Sequence, residues 1–158
     1  MKALPNTQLT RNFHLYEFIE AQLPFEAVAL NWKYITRFDM LKWEEMALEL
    51  EKDRRLINEH HKPDLFGFDD IGIRITSGFR CIEWELLRGR SGLSQHTICA
   101  VDYIPTNVSR SKAIVILKWL YDIQDKTWPG GLAIKHPEQM KTGFIHKDTR
   151  KELARWNY

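Results

Sequence analysis

Cysteine is scarce: Cys81 and Cys99 are the only two in 158 residues. Two thiols make no disulfide framework, so the fold rests on a packed core. Buried reduced thiols are the expected state of both. Long apolar runs are missing as well. The opening Met1 to Gln8 has no signal-peptide stretch, and no segment approaches a membrane span. The expectation is a protein made in the cytosol without an export address of its own. Charge of one sign is also missing, since 23 basic and 21 acidic residues leave a net charge of +2. No basic run alternates with aromatics, which argues against a nucleic-acid partner. Internal repeats, low-complexity tracts and linkers are absent, and the length suits one domain over residues 1–158.

What is present is a rich apolar complement, 44% of the chain, with six tryptophans. Most of those are expected to be packing groups. Asn12 to Ile19 reads as a short helix that packs Phe13, Leu15 and Phe18 onto the body. From about Asp39 to His61, Met40, Trp43, Ala47, Leu50 and Ile57 recur at helical steps between charges. His60 and His61 close that helix, where a solvated C-terminus accounts for them. Ile71 to Thr76 alternates like a strand. Ile82 to Leu87 reads as one or two helical turns, and Arg88 to Gly92 as a basic, solvated loop. Ala100 to Ile104 is a second strand, closed by Pro105. Ser109 or Ser111 caps a helix to about Lys126, with Ala113, Ile116, Leu117, Leu120 and Ile123 as its buried stripe. Leu132 to Lys135 and Phe144 to Lys147 are further strands, joined through His136-Pro137-Glu138. The order gives an α+β fold: helices first, then a small, mainly antiparallel sheet with a helix across one face.

The chemistry-bearing set is His96 and Asp102 in Ser94-Gln95-His96-Thr97-Ile98-Cys99-Ala100-Val101-Asp102, with His146 in Gly143-Phe144-Ile145-His146-Lys147-Asp148. Two imidazoles and a carboxylate suit a zinc ion that keeps one position open for water. In extended chain, His96 and Asp102 would stand roughly 20 Å apart. One ion can hold both only if the chain turns between Thr97 and Cys99. Asp102 then shares a strand face with Ala100 and Ile104, while His146 shares one with Phe144 and Asp148. His146 and Asp102 can meet across adjacent strands. Cys99 joins them only if it points toward His96.

Laid end to end, these pieces resemble a peptidase M15 domain, the zinc D-Ala-D-Ala carboxypeptidase family that shares its fold with the hedgehog signalling domain. The likeness is closest to the subgroup of phage and bacterial cell-wall hydrolases. Asn12-Phe13-His14-Leu15-Tyr16-Glu17-Phe18 resembles that subgroup's opening Asn-Phe-x-Leu-x-Glu-Phe. Ile73 to Arg80 resembles its Ile-Thr-Ser-Gly-Tyr-Arg strand end. Ser94 to Asp102 resembles its first metal motif. Gly130-Gly131, Gly143 to Arg150 and Arg155-Trp156 resemble its C-terminal block.

The resemblance implies a zinc peptidase acting on peptidoglycan stem peptides or cross-links. His96, Asp102 and His146 would bind Zn2+. Arg80 would hold the substrate carbonyl oxygen or stabilise the tetrahedral intermediate, its plainer role being a salt bridge at a turn. Asp148 would orient a ligand imidazole or serve as base, and Ser94 and Gln95 would support His96. Three departures stand out. The His96 to Asp102 stretch is one residue shorter than the family's Ser-x-His-x-x-Gly-x-Ala-x-Asp and lacks its glycine. Gly143 occupies the position of an acidic general base, leaving Asp148, His136 and Glu138 as candidates in that order. No signal peptide precedes the domain, which points to an endolysin-like phage protein reaching the wall through a holin, through lysis, or within a virion. The alternative is a virion structural or cell-wall-binding protein that kept the scaffold and lost efficient chemistry.

Overall fold

A computed structural model describes residues 7–61, 70–135 and 143–158. The chain begins with α1 (Leu15–Glu20), α2 (Phe25–Tyr34) and α3 (Arg37–His60), followed by β1 (Gly72–Ser77) and α4 (Ile82–Leu87). A 3-10 turn (Gln95–Thr97) leads into β2 (Ala100–Thr106), then α5 (Arg110–Thr127), β3 (Gly131–Lys135), β4 (Phe144–Asp148) and β5 (Ala154–Asn157). The fold is α+β. Its sheet has the order β1-β2-β4-β3-β5, antiparallel throughout except for the parallel β3–β5 pair.

Local chemistry sets the helix starts. Thr36 accepts from the Asp39 amide while Asp39 reaches back to the Thr36 amide, a reciprocal cap that opens α3. Ser109 caps α5 by accepting from the Lys112 amide. The apolar stripes follow their spacing in part: Ala113 and Ile123, expected in the buried stripe of α5, are only half-buried, and Gln124 is buried instead. Trp43, Ala47, Leu50 and Ile57 are buried on α3, and Ile116, Leu117 and Leu120 on α5. Phe13, Leu15 and Phe18 are buried as well, and all of these except Ala47's small side chain add large apolar groups to one contiguous core. Met40 packs at its margin.

Three features depart from expectation. Helix α2 was not foreseen, because its residues carry little periodic patterning. Its buried Asn31 donates to the carbonyls of Ile19 and Phe79 and accepts from the Cys81 amide, tying α1 to the chain around Arg80. Pro105 does not end its strand but pairs with Ile73 inside β2. The β2–β4 ladder has already stopped at Tyr103, so the missing N–H costs no bond on that side. Strand β5 was also unforeseen. His60 and His61 pack against Trp119. Residues 62–69, and His136 and Glu138, lie outside the described residues.

The two sheet faces have different fates. Val101, Tyr103, Ile145 and Lys147 point into the core under α3 and α5. There the fully buried Asp53 of α3 accepts from Tyr103 Oη at 2.7 Å, Gln124 Nε2 at 2.7 Å and Lys147 Nζ at 2.8 Å. Lys147 also sits over the Trp128 ring, 4.4 Å from its centroid. Alternation then sends Asp102, His146 and Asp148 to the opposite face. Among the described residues, no helix is long and apolar enough to cross a membrane.

Candidate metal centre

Register places the site. Ser77 pairs with Asp102, Asp102 with His146, His146 with Ala133, and Ala133 with Trp156. These five residues form one transverse row across the sheet. Ala133 is buried and small, so the Trp156 ring reaches over it to lie 5.1 Å from the His146 ring.

His96 arrives from outside the sheet. The 3-10 turn at Gln95–Thr97 reverses the chain just ahead of β2, and Ser94 caps it by accepting from the His96 amide. The turn foreseen between Thr97 and Cys99 is therefore present, and the shortened spacing closes without a glycine. The His96 and His146 rings stand 5.1 Å apart, nearly perpendicular. One donor atom each from His96, Asp102 and His146 lies within 4.8 Å of the others. Ligands held about 2 Å from a shared ion are no more than about 4 Å apart. The widest pair thus needs only a small inward movement, and the group can hold a metal ion.

The supporting contacts fix which atoms face the centre. His96 Nδ1 lies 2.7 Å from the Gly78 carbonyl oxygen. A carbonyl only accepts, so Nδ1 carries the proton and the Nε2 lone pair is left for a ligand role. That Nε2 is 3.5 Å from Asp102 Oδ2. His146 is flanked by two carboxylates, with Nδ1 2.8 Å from Asp102 Oδ1 and Nε2 3.1 Å from Asp148 Oδ2. A second-sphere carboxylate on the far nitrogen orients a ligating imidazole and raises its basicity.

The electrostatics agree with that arrangement. Burial works against Asp102 ionising, yet the hydrogen bonds from His146 and His96 hold its carboxyl far below the usual carboxylate range. Burial lowers the His146 pKa, but Asp102 and Asp148 outweigh it and the net shift is upward. Two carboxylates enclose a position that favours a cation, whether a proton on His146 or a metal ion.

Asp148 is fully buried. Besides His146 it accepts from the Gly131 amide and from the backbone, Nε and Nη2 of Arg150. Burial disfavours its charge, but His146 and Arg150 together hold its pKa well below normal. Such a carboxylate is placed to orient His146 through its second nitrogen.

Arg80 is anchored beside the centre. Its amide donates to the His96 carbonyl at 3.0 Å, and Nη2 donates to Ser94 Oγ at 3.3 Å. Its Nε lies 3.5 Å from Glu85 Oε1. Burial lowers its pKa, while the negative fields of Glu85 and Asp102 oppose that shift. The ion pair at a turn, the plainer expectation for Arg80, is present, and the charge of Asp102 also acts on the guanidinium.

Cys99 is not part of the group. It is buried, with Sγ 3.6 Å from the Lys42 carbonyl, and burial pushes its thiol up to about 12. Cys81 and Cys99 are both free and buried. Trp156 and Tyr158 are the site neighbours that sequence reasoning assigned no role. The Tyr158 ring stands 6.5 Å from His146 and 6.2 Å from Trp156, and Arg150 lies over Trp156 at 5.0 Å. The one signal for them was the Arg155-Trp156 pair in the C-terminal block.

No family profile, curated protein or solved structure matches the chain.

Proposed function

We propose that this protein is a zinc-dependent peptidase of the M15 type, acting on peptidoglycan stem peptides or cross-links. The observation that carries this reading is the convergence of His96, Asp102 and His146 from three separated stretches, with Asp148 behind His146. Three protein ligands of this kind are the donor set of a catalytic zinc site with room for water. When bound there, zinc would acidify a water molecule toward neutral pH and polarise a peptide carbonyl.

The chain's own residues then have distinct tasks. Gly78 and Asp148 fix the imidazoles from behind through their second nitrogens. Arg80, held by Ser94 and Glu85, presents positive charge toward Asp102 and would stabilise the oxyanion that develops as the carbonyl is attacked. Trp156 packs beside His146, its ring 5.1 Å from the imidazole. The candidates for the proton acceptor remain Asp148, His136 and Glu138, in that order. The substrate class comes from the family resemblance, as does release from a phage-infected cell by lysis or delivery within a virion.

The test is zinc content before and after chelation and reloading, paired with digestion of purified peptidoglycan. The expected result is about one zinc per chain and release of peptides, both lost in His96→Ala with the fold intact. Failure to retain zinc together with failure to release peptides would overturn the enzyme. It would leave the cell-wall-binding or virion-structural alternative, which Gly143 in place of an acidic base favours.

A further inference from the structure

Phe144, His146, Trp156 and Tyr158 form one aromatic surface on the sheet face that carries the metal centre. The alternation that sends Trp156 to that face sends Tyr158 there as well, two residues on. The Tyr158 amide donates to the Ile134 carbonyl at 3.4 Å, which carries the contact between β3 and β5 one residue past Asn157. Three rings surround the phenol, with centroids 5.3 Å away for Phe144, 6.2 Å for Trp156 and 6.5 Å for His146. Lys135, opposite Phe144 in the β3–β4 ladder, holds its Nζ 5.6 Å from the Tyr158 centroid and 6.0 Å from that of Phe144.

Packing does not account for the whole side chain. Tyr158 is 44% exposed and stands outside the apolar core. Its place relative to Arg80 is more telling. Arg80 follows Ser77 at one end of the transverse row, and Tyr158 follows Trp156 at the other. The guanidinium and the phenol each lie in the other's field, and both lie in that of Asp102. Burial pushes the phenol above its ordinary value, the charge of Asp102 adds to this, and that of Arg80 opposes it. At neutral pH the group is therefore a hydroxyl with a proton to donate. Arg80 shares its own donors with Ser94 and Glu85. An anion forming between the two ends of the row gains from a second donor on the far side.

We propose that Tyr158 is a further catalytic residue, its hydroxyl donating a hydrogen bond to the oxyanion at His96, Asp102 and His146 from the side opposite Arg80. The role rests on the peptidase reading for its substrate, but the hydrogen bond itself can be measured without cleavage. No proton leaves the phenol. The hydroxyl only holds charge that the attack on the carbonyl creates.

The experiment loads the full chain with cobalt in place of zinc and titrates it with acetohydroxamate, an anion whose oxygens take the open position of the metal. Visible absorption of the cobalt reports its binding. Wild type, Tyr158→Phe and Tyr158→Ala are compared, with chelator competition for metal affinity and circular dichroism for the fold. Tyr158→Phe keeps the ring and loses only the hydroxyl. It should bind acetohydroxamate about tenfold more weakly, the worth of one hydrogen bond to a charged group, with metal affinity unchanged. On soluble peptidoglycan fragments it should lower kcat by a similar factor and leave KM nearly as it was. Wild-type anion affinity in Tyr158→Phe, with a loss only in Tyr158→Ala, would show a packing role and overturn the proposal. So would a loss of metal affinity that matches the loss of anion affinity. Zinc-dependent cleavage at the wild-type rate in Tyr158→Phe overturns the Tyr158 role and spares the peptidase. Hydroxyl-dependent acetohydroxamate binding without release of peptides does the reverse. A chain that takes up neither cobalt nor zinc overturns both.

Discussion

Asp102 and His146 stand directly opposite one another in the β2–β4 ladder, with Asp102 Oδ1 2.8 Å from His146 Nδ1. The pair has opposite pKa shifts with a common cause, and these define the pH response of the metal-free protein. Asp102 is depressed, so its contribution is present above the unfolded value of about 3.9 and is lost as pH falls through the folded value. His146 is raised, so its contribution is full below about 6.5 and is lost as pH rises through the folded value. With chelator present, melting temperature should therefore be highest in mildly acidic buffer and fall toward alkaline pH. Added zinc should abolish the alkaline fall, because the metal replaces the proton on His146. A melting temperature that rises steadily from pH 5 to 9 without metal would contradict this.

Asp148 acts on the centre only through His146 Nε2. Asp148→Asn keeps the shape but loses the charge. Metal affinity should drop roughly 10–100-fold, the usual cost of losing a supporting partner. Competition titration against a chromogenic chelator measures this, with circular dichroism as the fold control. Unchanged affinity would remove Asp148 from the site.

Gly78 has to be glycine for reasons of space. A Cβ placed there would lie 2.0 Å from the Phe18 carbonyl oxygen, which is backbone and does not rotate away. The Gly78 carbonyl also orients His96. Gly78→Ala should destabilise by about 1–3 kcal/mol, the usual range for overpacking, and weaken metal binding as well. Chemical denaturation and chelator competition on the same sample report the two effects.

The Asp53–Lys147 pair is fully buried on the other face of the sheet. Lys147→Met removes one charge and leaves Asp53 with Tyr103 and Gln124 alone. A loss of about 3–5 kcal/mol is expected, because an uncompensated charge remains inside. The double variant Asp53→Leu/Lys147→Met should recover part of it. Urea unfolding of wild type, Lys147→Met, Asp53→Leu and the double variant completes the cycle, and an additive result would show that the two groups are uncoupled.

Much of the architecture was legible locally. The α3 and α5 stripes, the Ser109 cap, the Ile82–Leu87 helix and the alternating strands follow from periods of 3.6 and 2, which the chain carries in its own order. Even the turn before β2 was forced, since six extended residues would have held His96 and Asp102 too far apart. Helix α2 was not legible. It is anchored by Asn31 to the backbone of Ile19, Phe79 and Cys81, and a single polar residue announces no such partners. Strand β5 was hidden for a similar reason. Its residues are only half buried, and Arg155 secures it to the carbonyls of Trp128 and Gly130.

By itself the sequence determined which residues could carry charge or ligate a metal, and which strand face each would occupy. Those properties depend on side-chain chemistry and on local backbone repeat. Tertiary structure alone decided that Ser77, Asp102, His146, Ala133 and Trp156 share one row, and that Asp148 stands behind His146. Strand register is fixed by contacts between distant segments, above all the burial of Tyr103 and Lys147 around Asp53. No window of neighbouring residues contains that information.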